Sequence, residues 1–339
     1  MRIRAHAISE RGGQAEPFSY EGEPGKRDVL VRITHCSVAR GDIQFIDDDW
    51  GDARFPLVPG HEIIGIVEEV GSEVADLRRG DRVGIGYQQQ ACFACTFCQQ
   101  GMEQICPGQK VIAVDRYGGF ADQIIVDGRF AFALPAQLDS ATSTPLLSSG
   151  LTVFAGILRA HLADRSSVAV LGPGGLGHLA IQFLHKMGHG VSAFSRSPAK
   201  RELVERLGAV YVDSVDPEYS TRHRGSFDFI LSTLNVPFDL DSCLQMLKPN
   251  GQLCLVASPV RQLSLGGGLL SNSLRTIYGN YTGSRADTSS MLQFSAEHGI
   301  AAIVDVMPFS RINEAIERVR RRDVPMGLVL ENHLARPSC

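Results

Sequence analysis

The sequence lacks a long apolar run, a large block of like charges and any segment typical of an export signal. The N-terminal stretch, MRIRAHAISERGG, has no apolar core, and no other stretch is apolar over the length needed to cross a membrane. The net charge of −4 is spread over 339 residues, which argues against nucleic acid or a membrane surface as a partner. We interpret the one arginine-rich run, ERVRRR (317–322), as a solvated helix face. These absences predict a cytoplasmic protein.

Low-complexity segments and internal repeats are absent as well. Hydrophobic residues make up 44% of the chain and charged residues 21%, which excludes wholesale disorder. At about 100–200 residues per domain, the length allows two domains with one core each.

The hydrophobic pattern changes twice along the chain. Residues 1–145 show short β-like runs separated by Gly, Pro and Asp, as in a small barrel or sandwich. From about residue 148, buried strand runs alternate with helical periodicity, which predicts an α/β fold with a doubly wound parallel sheet. The tail from about 286 has a mixed character. We therefore predict a β-rich domain followed by a parallel-sheet domain.

Four of the eight cysteines lie within fifteen residues, in the pattern C-x2-C-x2-C-x7-C formed by Cys92, Cys95, Cys98 and Cys106. Four thiolates at this spacing suit one tetrahedral ion and leave no vacant position for water, so the pattern predicts a closed structural zinc site that orders the loop 88–110. An iron–sulfur cluster is the alternative, because related spacings occur in ferredoxins.

A glycine-rich turn follows the buried run SSVAVLG and opens an amphipathic helical segment. This context predicts a dinucleotide-binding loop, whose glycines permit a tight turn and close approach of a pyrophosphate. The cofactor-binding residues predicted here are Gly172, Gly174, Gly175, Leu176 and Gly177.

The second strand of the predicted sheet ends without the acidic residue typical of an NAD site. It carries Ser195, Arg196 and Ser197 instead, with Lys200 shortly after. Cations and hydroxyl donors suit a 2′-phosphate, so the sequence favours NADPH over NADH.

Several motifs in one order resemble the zinc-dependent medium-chain alcohol dehydrogenases, in particular the cinnamyl-alcohol-dehydrogenase-like aldehyde reductases. They are FPLVPGHEIIGIVEEVG, the cysteine lobe, GGFADQIIV, PLLSSGLTVF, LGPGGLGHLAIQF, FSRSPAK and INEAIERV. The resemblance implies a GroES-like catalytic domain (1–147 and 286–339, with the zinc lobe at 88–110) and a Rossmann NADPH-binding domain (148–285). It also implies that Thr152 contacts the cofactor, that the substrate is a small molecule, and that the chain forms a homodimer through a strand at 275–282.

The sequence departs from the family pattern at the ligands of the second, catalytic zinc. The Gly-His-Glu motif stands intact at His61 and Glu62, but Ala39 and Ser148 occupy the positions of the two ligand cysteines. Alanine has no donor atom and a serine hydroxyl is a weak zinc ligand. We interpret Cys36 as a small hydrophobic residue on a strand, not as a replacement ligand.

The proton relay of the family is altered too. Gly41 stands where a Ser or Thr is expected, Gln44 where a His is expected, and Gly327 where an Arg is expected. The departures all concern polarising a carbonyl oxygen and delivering a proton to it, whereas the cofactor motifs are intact.

We therefore expect an NADPH-dependent reductase without a catalytic zinc, acting on an activated C=C bond (an enal or enone) or on a C=N bond (an iminium ion). The alternatives are an aldehyde or alcohol dehydrogenase with a remodelled zinc site, and a non-catalytic NADPH-binding protein. The predicted catalytic residues are Ser148, Tyr87, Arg40, Glu62 and His61. The predicted substrate-pocket residues are Ala39, Gln44, Trp50 and Asp42.

Overall fold

A computed structural model describes residues 1–216, 218–257 and 263–332. The chain divides into two compact units. One comprises Met1–Ser148 together with Ser284–Cys339, and the other comprises Ser149–Gly283.

The first unit begins with a β-rich stretch. Its strands are β1 (Arg2–Ile8), β2 (Ala15–Glu21), β3 (Asp28–Ser37), β4 (Ile63–Val70), β5 (Arg82–Ile85), β6 (Gln88–Gln90), β7 (Lys110–Val111), β8 (Gln123–Asp127) and β9 (Ala131–Ala133). The helices between them are α1 (Arg40–Ile46), α2 (Thr96–Gln99) and α3 (Ser140–Ser143), with 3-10 turns at Glu103–Ile105, Gly128–Phe130 and Thr144–Leu147.

The second unit alternates strands and helices, as its sequence pattern predicts. It contains α4 (Ser149–Leu158), β10 (Ser167–Leu171), α5 (Gly177–Lys186), β11 (Gly190–Ser195), α6 (Arg201–Arg206), β12 (Ala209–Asp213), α7 (Tyr219–Arg222), β13 (Phe227–Ser232), α8 (Leu240–Met246), β14 (Leu247–Leu255), α9 (Gly268–Ser271) and β15 (Thr276–Gly279). A 3-10 turn at Pro198–Lys200 precedes α6.

The last stretch returns to the first unit. It contains α10 (Arg285–His298), β16 (Val304–Pro308), a 3-10 turn (Phe309–Arg311), α11 (Ile312–Arg320) and β17 (Gly327–Glu331). A capping box defines the start of α10, because Ser284 Oγ accepts from Asp287 N at 3.1 Å and Asp287 Oδ2 accepts from Ser284 N at 2.8 Å. The helix ends at Gly299, whose φ of +65° suits glycine.

Both ends of the chain contribute to the main sheet of the first unit, in the order β16-β17-β3-β4-β5-β9 with β8 also on β3. The returning strand β17 pairs antiparallel with β3, where Leu330 lies opposite Cys36. Cys36 is fully buried on this strand, as predicted.

The sheet of the second unit has six strands in the order β12-β11-β10-β13-β14-β15, all of them parallel. This confirms the predicted α/β class. The strand order reverses between β10 and β13, and ligands of such sheets bind beyond the carboxyl ends of the strands at that point. The glycine loop leaves the carboxyl end of β10, so the topology places it there.

Within the described residues, no single helix is long and apolar enough to cross a membrane. One bent pair, Ser140–Leu147 with Ser149–Leu158, meets the criteria on length and composition alone.

Candidate functional site

The four clustered cysteines converge in a small lobe. Their sulfur atoms lie within 4.8 Å of one another, and the Cys92–Cys98 and Cys95–Cys106 pairs are each 3.9 Å apart. Sulfurs at about 2.3 Å from one central zinc ion stand about 3.8 Å apart in a tetrahedron, so the observed spacing fits the ion.

Backbone amides surround these sulfurs. Cys92 Sγ accepts hydrogen bonds from Ala94 N at 3.4 Å and Cys95 N at 3.3 Å, and Cys106 Sγ accepts from Gly108 N at 3.3 Å. The hydrogen bonds from Ala94 and Cys95 lower the pKa of the Cys92 thiol to about 6. Donors of this kind favour the thiolate, which is the form that binds a metal.

The glycine loop of the second unit has little room for side chains. A Cβ on Gly177 would lie 2.3 Å from Gly172 O, and Gly172 itself has a φ of +84°. A Cβ on Gly174 would meet no protein atom within 4 Å. Gly172 and Gly177 are therefore required by the turn itself, whereas Gly174 leaves open space of the kind a pyrophosphate needs.

The predicted 2′-phosphate residues follow β11. Ser195 is its last residue, its hydroxyl accepts from Ser197 N at 3.1 Å, and Arg196 is exposed. Lys200 is half-buried, and its Nζ donates to Pro173 O in the glycine loop at 3.0 Å. The turn and the loop therefore lie side by side, as an adenosine 2′-phosphate site and a pyrophosphate site must.

His61 is paired with a buried carboxylate. Asp42 has no exposed surface, and its side chain accepts from His61 Nδ1, Gly60 N and Ala39 N, each at 2.8 Å. The last of these bonds fixes the first turn of α1, because Asp42 is its third residue. Burial by itself lowers the pKa of His61, but the charges of Asp42 and Glu62 and the bond to Asp42 outweigh it and raise the pKa to about 9.

The absence of a side chain at Gly41 lets the His61 ring come close to α1. A Cβ at position 41 would lie 3.0 Å from His61 Cε1 and 3.3 Å from Nε2. Glu62 is also buried, and its carboxylate accepts a short hydrogen bond from the Ser37 hydroxyl. Among the described residues, only the cysteine cluster brings three or more His, Cys, Asp or Glu ligand atoms this near to one another.

A row of aromatic rings leads away from His61. Tyr87 lies edge-on to the His61 ring at 6.0 Å, Phe45 stacks on Tyr87 at 5.9 Å, and Trp50 lies edge-on to Phe45 at 4.8 Å. Phe45 is buried, whereas Trp50 is 46% exposed. We call these three residues, Phe45, Trp50 and Tyr87, the aromatic row.

The remaining predicted residues are less engaged. Arg40 is half-buried, and its Nε has no hydrogen-bond partner within the described structure. Gln44 and Ser148 are half-buried at the surface of the first unit. Thr152 is buried in α4, and its hydroxyl lies 3.4 Å from Tyr281 O. The roles assigned to these residues stay predictions.

The sequence predicts that His178, just after the glycine loop, caps or packs against the start of the helix, and its Nδ1 lies 3.1 Å from Gly174 O. Two residues with evident positions were missed by the sequence reasoning. Phe45 belongs to the aromatic row, and the signal was its place five residues before the sole tryptophan. Thr233 contacts the glycine loop through Gly172 O at 2.6 Å. Thr233 immediately follows β13, the strand across the reversal of strand order, and that position was the available signal.

Two family models match the chain: residues 25–136 match an alcohol dehydrogenase GroES-like domain, and residues 175–297 match a zinc-binding dehydrogenase. An aldehyde reductase of Synechocystis is 35% identical over 332 residues, which cover 97% of this chain and 99% of the relative. The chain belongs to the zinc-type alcohol dehydrogenase family. The predicted family resemblance and the GroES-like plus Rossmann-like architecture are thereby confirmed.

Solved structures give the same result. A cinnamyl alcohol dehydrogenase of Sorghum bicolor superposes with a TM-score of 0.93 at 32% identity, covering 98% of both chains. The cinnamyl alcohol dehydrogenase of Helicobacter pylori, solved with NADP(H), gives a TM-score of 0.90 at 28% identity, again over 98% of both chains. Like its family, the chain is an alcohol dehydrogenase-like oxidoreductase of small molecules, and its cysteine cluster suggests a structural zinc site.

Proposed function

We propose that this oxidoreductase uses NADPH to reduce an activated C=C or C=N bond of a small molecule, without a catalytic zinc. One observation carries the proposal: within the described part of the chain, His61 belongs to no close group of three or more His, Cys, Asp or Glu ligand atoms. The residues at the positions of the family's two ligand cysteines do not complete one. Ala39 offers no donor atom, and Ser148 offers a neutral hydroxyl.

The two acidic groups near His61 are also engaged. The Asp42 carboxylate accepts three hydrogen bonds, and the Glu62 carboxylate accepts from Ser37. A tight catalytic zinc site uses three protein ligands around one open position. The donors present here do not fit that requirement, so the mechanism we propose contains no step through a metal.

NADPH is the proposed hydride donor. The Ser195–Lys200 turn offers hydroxyls and two cations beside the glycine loop, and no carboxylate ends β11 to accept from a ribose 2′-hydroxyl. The NADP(H) bound by the H. pylori relative supports the same choice.

Reduction of an enal or enone needs little activation. Hydride adds to the β-carbon, the C=C electron pair moves toward the carbonyl, and the charge spreads over an enolate, which a proton then quenches at the α-carbon. Hydrogen-bond donors at the enolate oxygen would lower the barrier, and Tyr87 and Ser148 are the hydroxyls proposed for this task. The aromatic row offers flat apolar faces to a planar conjugated substrate.

Reduction of an iminium ion needs neither a Lewis acid nor a proton relay. The substrate carries its own positive charge, and hydride transfer to its carbon yields a neutral amine. Asp42 and Glu62 carry two negative charges against the one positive charge of the His61 imidazolium, and the net negative field is one that such a cation prefers. Aromatic faces attract a cation as well.

A metal count of the purified protein is the sharpest test. We expect one zinc and no iron per chain, held by the cysteine cluster. Two tightly held zinc ions would refute the metal-free mechanism. The double variant Ala39→Cys with Ser148→Cys is the matched comparison, and we expect it to raise the zinc content from one to two ions per chain.

Activity separates the remaining candidates. If the substrate is an enal, we expect NADPH to reduce cinnamaldehyde to the saturated aldehyde. If the substrate is an iminium ion, we expect NADPH to reduce N-methyl-3,4-dihydroisoquinolinium to the amine. The names of the relatives favour a second candidate, an aldehyde or alcohol dehydrogenase with a remodelled zinc site. Rapid, zinc-dependent oxidation of cinnamyl alcohol would support that candidate. Binding of NADPH without turnover of any enal or cyclic iminium would support a non-catalytic protein.

The proposed setting is the cytoplasm, and the proposed assembly is a homodimer. In the sheet of the second unit, β15 pairs with β14 on one side and forms the sheet edge on the other. A backbone edge of this kind can pair with a second copy. Sedimentation at micromolar concentration should give twice the chain mass of 36.8 kDa.

A further inference from the structure

Side chains from three segments of the chain form hydrogen bonds with the glycine loop. Each of them bonds to the carbonyl oxygen of one of three successive loop residues. The contacts are Thr233 Oγ1 to Gly172 O at 2.6 Å, Lys200 Nζ to Pro173 O at 3.0 Å, and His178 Nδ1 to Gly174 O at 3.1 Å.

The contact at Gly174 sets the direction of a backbone N–H group. Pro173 has no N–H, and the N–H of Gly174 donates to Gly172 O at 2.7 Å, so the contacts at Gly172 and Pro173 fix the position of the loop instead. In a trans peptide the carbonyl and the following N–H point in opposite directions. A carbonyl of Gly174 fixed toward His178 therefore turns the N–H of Gly175 to the opposite side. The first N–H groups of a helix have no partner within it, and those at the start of α5 are the donors that a pyrophosphate needs.

Lys200 differs from the other two contacts because it also belongs to the proposed 2′-phosphate turn. Its backbone N donates to Ser197 O at 3.1 Å, and it lies one residue before α6. An ammonium group has three donors, and the bond to Pro173 uses one of them. Two donors remain for a phosphate, so one side chain connects the turn to the loop.

We propose that Lys200 is a positioning residue for the pyrophosphate loop in addition to a 2′-phosphate ligand. This inference rests on the proposed NADPH use only for the second role. A lysine that contacts the 2′-phosphate alone contributes nothing to NADH binding, whereas a lysine that also holds the loop stabilises the binding of both dinucleotides.

The test compares dissociation constants of NADPH and NADH for Lys200→Met and Arg196→Met. Both variants lose one cation of the same turn, but Arg196 is exposed, and the described structure shows no hydrogen bond from its side chain to the loop. We expect Arg196→Met to weaken NADPH alone. We expect Lys200→Met to weaken NADPH and also to weaken NADH by about tenfold, as for the loss of a charged hydrogen bond.

A second pair of variants controls for a fold defect. Thr233→Val removes the hydroxyl that holds Gly172 O, and Thr233→Ser keeps it. We expect Thr233→Val to weaken both dinucleotides by similar factors, and Thr233→Ser to restore binding to within about twofold of the parent. An unchanged NADH dissociation constant in a folded Lys200→Met protein would overturn the proposal.

The proposed function and this inference are tested by different measurements, so either can be overturned without the other. A parent protein that binds NADH more tightly than NADPH would overturn the cofactor assignment, and the NADH measurement on Lys200→Met would still test the loop contact.

Discussion

The glycine loop of the second unit keeps the residues that the family resemblance implies, whereas the His61 site of the first unit keeps only some of them. The loop has its glycines, its carbonyl contacts and a basic turn beside it. At the positions where the family resemblance implies two thiolates and a hydroxyl for the His61 site, the sequence has Ala39, Ser148 and Gly41. What remains there is a histidine tied to a buried carboxylate, and a row of aromatic rings.

This contrast separates two tasks that a zinc-type dehydrogenase normally performs together. Hydride donation depends on the dinucleotide, whereas activation of a carbonyl depends on a Lewis acid and a proton path. Our proposal that this chain acts on substrates that are already activated follows from this division, because the chain keeps the first set of residues and replaces the second. Three further experiments would break or sharpen this comparison.

The largest effect is expected from the cysteine lobe, which belongs to the same unit as His61 and to which we assign a structural role. Cys106→Ser should reduce the zinc content from one ion per chain to none and lower the free energy of unfolding by more than about 4 kcal/mol, because zinc binding is coupled to folding. Cys243→Ala is the control, since Cys243 is a buried thiol of the second unit outside the cluster. It should keep its zinc. A Cys106→Ser protein with normal zinc content and stability would contradict the assignment.

An intermediate effect is expected in the glycine loop. Gly177→Ala places a Cβ 2.3 Å from Gly172 O, and strain of about 3 kcal/mol would weaken NADPH binding about a hundredfold. It should also lower the melting temperature. Gly174→Ala is the matched control, because its Cβ meets no protein atom within 4 Å. We expect it to leave the melting temperature unchanged and to weaken NADPH through contact with the nucleotide. Parent-like NADPH binding by Gly177→Ala would show that the loop is not as tight as described.

The smallest effect concerns the pH dependence of stability at His61. Its folded-state pKa of about 9 lies above the ordinary value of 6.5, so the paired imidazolium stabilises the fold fully below pH 6.5. That stability, at most about 3 kcal/mol, should be lost as the pH rises through 9. Urea denaturation between pH 6 and 10 measures it, and His61→Gln should remove this part of the pH dependence.

The same experiment compares the two candidate mechanisms. A His61 held by a metal ion would be unprotonated throughout this range. Equal pH dependence of the parent and His61→Gln would therefore argue for a remodelled zinc site and against the metal-free interpretation.

Sequence reasoning located the buried strands of the second unit well, because β10 is apolar after its first residue and β13 is apolar apart from Asp228 and its last residue. It missed α1, whose seven residues are too few to show helical periodicity and whose start depends on a carboxylate bonding to a backbone N–H. The pattern of PAKRELVERLG (198–208) predicts one helix, whereas the structure has a 3-10 turn at the proline and then α6.

The arginine-rich run of α11 shows a different limit. Its solvated-face interpretation was wrong in part, because Arg318 bonds Asp305 at 2.6 Å and Arg320 bonds Asp47 at 2.8 Å. Partners so distant in the sequence come together only through the pairing of β16, β17 and β3. Phe45 of the aromatic row escaped prediction for the same reason, since it meets Tyr87 only after folding.

The cysteine cluster does not include His61, and this has a practical consequence for assays. Under the mechanism we propose, a chelator that removes zinc from the lobe would unfold the loop 88–110 and abolish turnover, although no metal takes part in the chemistry. Loss of activity on chelation is usually interpreted as evidence for a catalytic metal. Here it would report the unfolding of the cysteine lobe. The informative measurement is the order of events: zinc release and lobe unfolding should precede any change in hydride transfer.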